Sequence, residues 1–459
     1  MNAQCRSHRA TRLTICLSSA FALAGLSPFG FAGGSLTVTS CLDDGGGGTL
    51  RSVVTAAVSG DTVDMSALVC SDITLSAGLG AITVPHGITI HGPGFDKLAI
   101  HGNQSQVFVS PTAEALTISN LTVADGTSYS ATGYPLGGGC IYAAGDVNVN
   151  LSVVTRCSVS APATRAYGGG VFTQGTANLL ATSITQCTVT GAIGAGGGGV
   201  HANSLMTAYS TLSGNSALTT IPADKDFGRG GGAYVGAGPI VLNSSTVDSN
   251  YASDGAGVGH FMSVGTAAAT TIFNSTISGN VSNYVSGGMD QYCFSACATP
   301  DIKIYNSTVA FNFDLVRVGG ISANTNIFAH SSLFADNRAG SANGDLFFFD
   351  AANQTLSGAN NLVIAVNETP AAGVVTVTSD PRLTPLAQHN ASTNPLFART
   401  HGLSLSSPAI GVGDNLLNLA VDERGDQNGG FPRMTGGLTD MGAFERQPND
   451  DEIYYGGFN

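Results

Sequence analysis

The sequence predicts an all-β chain folded as a parallel solenoid, and three observations carry that expectation. The segment "IFNSTISGN" at 272–280 is nearly repeated by "IYNSTVAFN" at 304–312. A glycine motif alternates with it, as in "GGGVFT" (168–173), "GGGVHA" (197–202) and "GGGAYV" (230–235). The segments between are short, rich in Thr, Val and Ile, and broken by Gly and Asn, which favours strands and turns over helix. A repeat of about 30 residues carrying two short strand motifs suits one coil of a solenoid.

The chain opens on a leader. Arg6, Arg9 and Arg12 precede an apolar run from Leu13 to Leu26, and Gly30-Phe31-Ala32 offers a small-x-small cleavage site. Residues 1–32 therefore read as a secretory signal peptide, the run being too short for a membrane anchor. The expected location is extracellular or on the cell surface, associated with an outer membrane. No later stretch is long and apolar enough to span a bilayer as a helix.

Residues 33–126 read as an N-terminal cap and the first coils. In "TLRSVVTAAVSGDTVDMS" (49–66), Leu50, Val53, Val54 and Ala57 recur at helical spacing. A short amphipathic helix there would cover strand edges that the open end of a solenoid otherwise leaves unpaired. "GITIHGPG" (87–94), "KLAIHGN" (97–103) and "ALTISNLTV" (115–123) follow as coils.

Residues 127–350 carry the repeats. The last position of each nine-residue copy forms a column: Cys157, Cys187, Asn215, Asn250, Asn280, Asn312, Asn337. Three positions earlier stands an apolar column, Val154, Ile184, Leu212, Val247, Ile277, Val309 and Phe334. The residue after the glycines forms another: Cys140, Val171, Val200, Ala233, Val258, Met289, Ile321. Strands of adjacent coils lie about 4.8 Å apart, so equivalent residues stack. Stacked Asn side chains then bond from coil to coil, and the glycines supply positive φ before the next strand. Roughly a dozen coils give a length of about 55 Å.

An exported chain meets oxidising conditions, so its cysteines are candidates for disulfides. Of nine, Cys5 and Cys16 fall in the leader and seven remain, an odd number. Cys157 and Cys187 share a column at disulfide distance and are expected to bridge. Cys293 with Cys297 and Cys41 with Cys70 are the other candidate pairs, leaving Cys140 alone.

Residues 351–446 read as C-terminal coils and a closing module, and 447–459 as a tail. Motifs such as "GGAY" (231–234) alternating with "FADN" (334–337) resemble the GGA-x and FxxN half-repeats of polymorphic outer-membrane proteins. "GTLRSVVTAA…GDTV" is similar to the entry segment of bacterial right-handed parallel β-helix proteins. "DPRLTPL" (380–386), "SPAIGVGD" (407–414), "DERG" (422–425) and "DMGAFE" (440–445) look like the closing module of β-helix proteins with variable surface anchors. The resemblance covers roughly residues 35–446. It implies a secreted or surface-exposed right-handed β-helix acting in adhesion. It departs from the outer-membrane proteins after Glu445, where fourteen residues cannot form the roughly eight strands of a small barrel. The tail "DDEIYYGGFN" resembles short C-terminal tails read by a sorting system.

Charged residues make up 10% of the chain and the formal net charge is −13, which argues against a nucleic-acid partner. In the strands after the glycines, Phe172, His201, Tyr234 and Asp290 alternate with inward residues and so point outward. Such a strip of aromatic, imidazole and carboxylate groups can hydrogen-bond and stack on carbohydrate or on a host or envelope surface. Loops 158–167, 188–196 and 216–229 are long enough to wall it. The only dense charged cluster is Asp224-Lys225-Asp226 with Arg229. A polysaccharide lyase would use calcium and a basic residue there, but no clear calcium motif is present. No cofactor or other metal is implied. A glycosidase needs two carboxylates about 5–10 Å apart, and no adjacent acids appear in the aligned columns. The expected function is therefore adhesin-like or carbohydrate-binding and non-catalytic. A polysaccharide lyase or glycoside hydrolase, and a purely structural envelope protein, are the alternatives.

Overall fold

In the computed structural model the chain winds as an all-β parallel solenoid. The structure describes residues 33–459 apart from 134–136, 222–227, 263–267, 294–300, 341, 390–397, 426–429, 449 and 451–459. The leader and, after Asp450, the sorting-like tail fall outside the described residues. A full coil visits four sheets. Sheet 1 has twelve strands, from Ser35–Thr37 to Leu356–Ala359, and sheet 2 has twelve, from Asp72–Thr74 to Val375–Val377. Sheet 3 begins at Thr127–Tyr129 and sheet 4 at Ile82–Thr83. Strands of successive coils pair in parallel, as at Thr246–Asp248 against Thr276–Ser278, and the antiparallel strand pairs among the described residues are Arg338–Ala339 with Ala342–Asn343 and the C-terminal hairpin of Leu383–Ala387 with Thr400–Leu403. Among the described residues no helix is long and apolar enough to cross a membrane.

The capping helix spans Leu50–Ala56, and Thr49 caps it by accepting from the Ser52 amide at 3.2 Å. Leu50, Val54 and Ala57 are buried against the first coils. The helix is shorter than the periodic segment because Thr62–Asp64 already belongs to sheet 1.

The apolar column of sheet 2 is in register from Val154 to Phe334. Beside it runs the asparagine ladder. Asn215 Nδ2 donates to Asn250 Oδ1 at 3.1 Å, Asn250 to Asn280 at 2.9 Å, Asn280 to Asn312 at 2.8 Å and Asn312 to Asn337 at 2.9 Å. The ladder ends on Asp345, whose Oδ1 accepts from Asn337 Nδ2 at 2.8 Å. A carboxylate suits that place: its other oxygen accepts from the amides of Ile364 and Ala365, so acceptors alone are needed. A second ladder turns the corner between sheets 1 and 2. Ser210, Ser245, Ser275, Ser307 and Ser332 each accept, through Oγ, the amide of the coil before. The repeated "NSTI" thus divides its labour. Asn274 takes a positive φ of 50°, Ser275 builds the corner ladder, Thr276 faces outward and Ile277 fills the core.

The cysteine expectation needs correcting. Cys41 and Cys70 do bridge, but Cys157 bonds Cys140 and not Cys187, which is a buried free thiol. The register explains why. Ile141, not Cys140, pairs with Val171, so Cys140 stands where other coils carry their third glycine. That glycine faces the ladder residue: a Cβ on Gly170 would lie 3.0 Å from Cys187 Sγ, and one on Gly199 3.0 Å from Asn215 Nδ2. In the first repeat coil the facing pair is Cys140 and Cys157, at a Cα separation of 5.4 Å. Burial pushes the Cys187 thiol up to about 12, so it is held neutral. Cys293 ends a strand of sheet 4, while Cys297 lies outside the described residues.

The C-terminal segment does not simply close the end of the solenoid. It lies along the outer face of sheet 2. Thr246 Oγ1 bonds the backbone of Arg399, Asn274 Nδ2 donates to Val421 O at 2.7 Å, Asn306 Nδ2 to Asp414 O at 2.9 Å, and the Ala443 amide to Thr308 Oγ1 at 3.0 Å. Glu423 sits beneath it, accepting from Thr246 and Thr276. Leu403, Ala409, Met441 and Phe444 pack on Leu333, Ala335 and Leu362.

Candidate functional site

The strip on sheet 4 is a row of stacked rings. Tyr142 stacks on Phe172 at 5.5 Å, Phe172 on His201 at 4.9 Å, His201 on Tyr234 at 4.8 Å and Tyr234 on Phe261 at 5.6 Å, with interplanar angles of 2, 6, 4 and 15°. Strand register places the first four rings one per coil. Gly259 holds the next place, and the ring of Phe261, two residues on, folds over it. Parallel strands at about 4.8 Å bring ring faces to stacking distance without further adjustment. Each interior face is therefore filled by a neighbouring ring, and Tyr142, Phe172, His201 and Tyr234 are left only partly exposed.

The long loops fold into a side sheet of Arg165–Tyr167, Gly194–Gly196 and Gly228–Arg229. It brings Tyr167 against His201 at 4.8 Å. A narrow edge of His201 remains exposed, yet burial pushes its imidazole down to about 3. His201 is thus a neutral plate in the stack. Burial likewise raises the Tyr234 phenol.

Beyond the rings the row turns acidic. Asp290 pairs in register with Gly259 and with Ser322, whose hydroxyl it accepts. Asp254 lies beside it, and both carboxyls are buried. Arg229 caps them, with Nε 3.6 Å from Asp254 Oδ2 and its guanidinium 4.6 Å from the Phe261 ring centre. Asp254 Oδ1 is buried without a hydrogen-bond partner. Asp314 stands nearby, bonded to Ser282 and the Val316 amide. Burial raises both the Asp254 and the Asp290 pKa; Asp290 and Asp314 add to the rise at Asp254 and Asp314 at Asp290, while Arg229 opposes it at both and the Ser322 hydroxyl and Arg317 at Asp290. Two acids therefore adjoin outside the aligned columns, because a turn residue of one coil meets a strand residue of the next.

That cluster makes stability depend on pH. The folded chain holds protons on Asp254 and Asp290 at pH values where unfolded carboxyls, near 4, have lost them. The folded state then binds more protons, so stability falls as pH rises from about 4 through neutrality. Each such proton tilts stability by about 1.4 kcal/mol per pH unit inside its window. Asp290→Asn keeps an acceptor for Ser322, removes one of the two titrations and takes away a carboxylate that raises Asp254. Its urea midpoint is expected to vary less between pH 5 and pH 8 than that of the parent, and an unchanged slope would refute the assignment.

Of the other site residues expected from sequence, Asp224 and Asp226 lie outside the described residues, and only Arg229 of that loop joins the site. Among the described residues no group of His, Cys, Asp or Glu is arranged to hold a metal ion. Sequence reasoning missed Tyr142, Tyr167, Phe261 and Asp254. Tyr142 was legible once Ile141 is aligned with Val171, and Phe261 as the aromatic two residues after the one glycine in the row. Nothing in the sequence marks Tyr167 or Asp254.

Comparison with known proteins adds little to this geometry. No family model matches the chain. No curated protein matches it either. Among solved structures it is similar to the crystal structure of pectate lyase Pel9A, at 11% identity and a TM-score of 0.49, covering 91% of this chain and 97% of that one.

Proposed function

We propose that this protein is an exported, adhesin-like β-solenoid that recognises carbohydrate along the ring row of sheet 4 and does not cleave it. The observation that carries this reading is the row itself, evenly spaced rings and phenol hydroxyls fixed on paired strands and edged by a side sheet. A regular strip suits a repeating polymer better than a small molecule. Export is supported by the leader pattern and by two disulfides among the described residues, which need an oxidising compartment. With a formal net charge of −13, neutral glycans are the expected partners, since polyanions are repelled.

The paired acids favour a second reading, glycoside hydrolysis, because two carboxyls with raised pKa values are the usual equipment. Burial under Arg229 and Phe261 counts against it.

The test is a glycan array with the chain from residue 33 onward, beside a Phe172→Ala/Tyr234→Ala variant. Removing two rings should weaken binding at least tenfold, about 1.4 kcal/mol, with no product released. Product release would replace this reading with the hydrolase, and absence of binding would leave a structural envelope role.

A further inference from the structure

The corner between sheets 2 and 3 and the C-terminal segment enclose a groove of about 430 Å³. Leu383, Pro385 and Leu386 line it together with Phe311, and Ser278 and His401 meet within it. His401 Nε2 lies 2.7 Å from Ser278 Oγ, and His401 Nδ1 lies 2.7 Å from the carbonyl oxygen of Thr384. A carbonyl oxygen only accepts, so Nδ1 carries the proton and Nε2 is left to accept from the serine hydroxyl. A nucleophile, a base and a group that orients the base are thereby in line. Thr384 and His401 face each other across one hairpin, and Ser278, 123 residues before His401, meets them only because the C-terminal segment docks on sheet 2.

The residue after the serine, Gly279, lines the groove and leaves room beside it. Gly279 turns the chain with a φ of 63°, and its amide makes a long 3.3 Å bond to Ala310 O. A Cβ on Gly279 would meet nothing nearer than Ser249 Oγ at 4.0 Å, so this turn faces open space. Burial holds His401 below its usual range, hence neutral and able to act as a base near pH 7.

We propose that Ser278 and His401 hydrolyse small carboxylic esters in this groove, an activity separate from glycan recognition on sheet 4. Ser278 Oγ attacks the ester carbonyl carbon while its proton passes to His401 Nε2. The C–O bond to the alcohol breaks, and the alcohol leaves with that proton. Water then gives a proton to Nε2 and attacks the acyl-serine. The carboxylic acid departs and the proton returns to Ser278. The apolar walls and the groove's size select a short, uncharged acyl group.

A fluorophosphonate probe tests this on the full chain, because a serine activated in this way displaces fluoride and keeps the phosphonyl group. The expected result is one adduct, mapped to Ser278, absent in Ser278→Ala and formed at least 100-fold more slowly in His401→Gln. Hydrolysis of p-nitrophenyl acetate should fall at least 100-fold in Ser278→Ala. That variant removes a single hydroxyl, and an unchanged unfolding midpoint shows that it folds, so it carries the test even where His401→Gln loosens the hairpin. Absence of an adduct on Ser278 in the folded protein, or ester hydrolysis unchanged in Ser278→Ala, overturns the proposal.

Discussion

Asn280→Ala is expected to destabilise the solenoid by about 3–5 kcal/mol, among the largest effects of any single substitution in the repeats. Asn280 is fully buried and uses its whole side chain. Its Oδ1 accepts from the Asn250 amide at 3.0 Å and from Asn250 Nδ2 at 2.9 Å. Its Nδ2 donates to Val247 O at 2.9 Å and Asn312 Oδ1 at 2.8 Å. Alanine leaves the Asn250 amide and one of the two Asn250 Nδ2 N–H groups without partners away from water, the other still bonding Leu212 O, and each such group costs about 1–3 kcal/mol. Asn280→Asp probes the same ladder differently. It keeps the acceptor but faces Val247 O and Asn312 Oδ1 with a carboxylate, so the loss should be similar at pH 7 and partly relieved at pH 4. Urea unfolding followed by circular dichroism reads both. A change below about 1 kcal/mol in the alanine variant would mean that the ladder decorates the register without holding it.

That ladder is also where the sequence was most legible. A column of Asn at a fixed place in each repeat has few physical explanations, and the buried Nδ2–Oδ1 chain is the one found. The apolar columns were legible for the same reason, since every coil must match the coils beside it. Cys140 shows the limit. Reading the first residue after the glycines as the inward one put Cys140 beside Val171, one place off. The separation of 17 residues between Cys140 and Cys157, the same step as from Gly170 to Cys187, held the correct answer. Glycine has no side chain, so a contact made by its missing Cβ is easily overlooked.

The candidate site was half legible. Alternation placed Phe172, His201, Tyr234 and Asp290 in one outward row, and they stand in one. It could not show that Tyr167 comes in from a side strand, or that Asp290 is roofed over beside Asp254. Those depend on insertions outside the repeat, which obey no period. The docking of residues 399–445 is less legible still, because its contacts join positions more than a hundred residues apart. One trace of it exists in the repeats. Thr246, Thr276 and Thr308 recur on an outer face and are nevertheless buried.

Arg424→Ala is expected to release that segment from the solenoid. The Arg424 side chain is fully buried, with its guanidinium 4.0 Å from the ring centres of both Phe431 and Phe444. It donates to both carboxylate oxygens of Asp422 and to the carbonyl of Glu445. Asp422 in turn accepts from the Glu445 amide at 2.8 Å, so "DERG" and "DMGAFE" are tied through one carboxylate. Removing the arginine leaves Asp422 buried without its countercharge, a loss of about 3–5 kcal/mol. The segment is joined to sheet 2 by scattered hydrogen bonds, by the Glu423 carboxylate, by the Arg399–Asp248 ion pair and by the small apolar cluster around Phe444, fewer ties than the paired strands of the coils have, so the loss falls on its docking before it reaches the coils. Limited proteolysis should then cut the variant beyond residue 380 under conditions that spare the parent, while the coils through Val377 persist as a resistant core. Arg424→Lys should rescue little, because an ammonium cannot lie flat between two rings and bind a carboxylate side-on. If the variant is as resistant as the parent, the ion pair does not hold the segment in place. If the whole chain is digested at once, segment and coils form one cooperative unit, and the Ser278–His401 groove is as permanent as the solenoid itself.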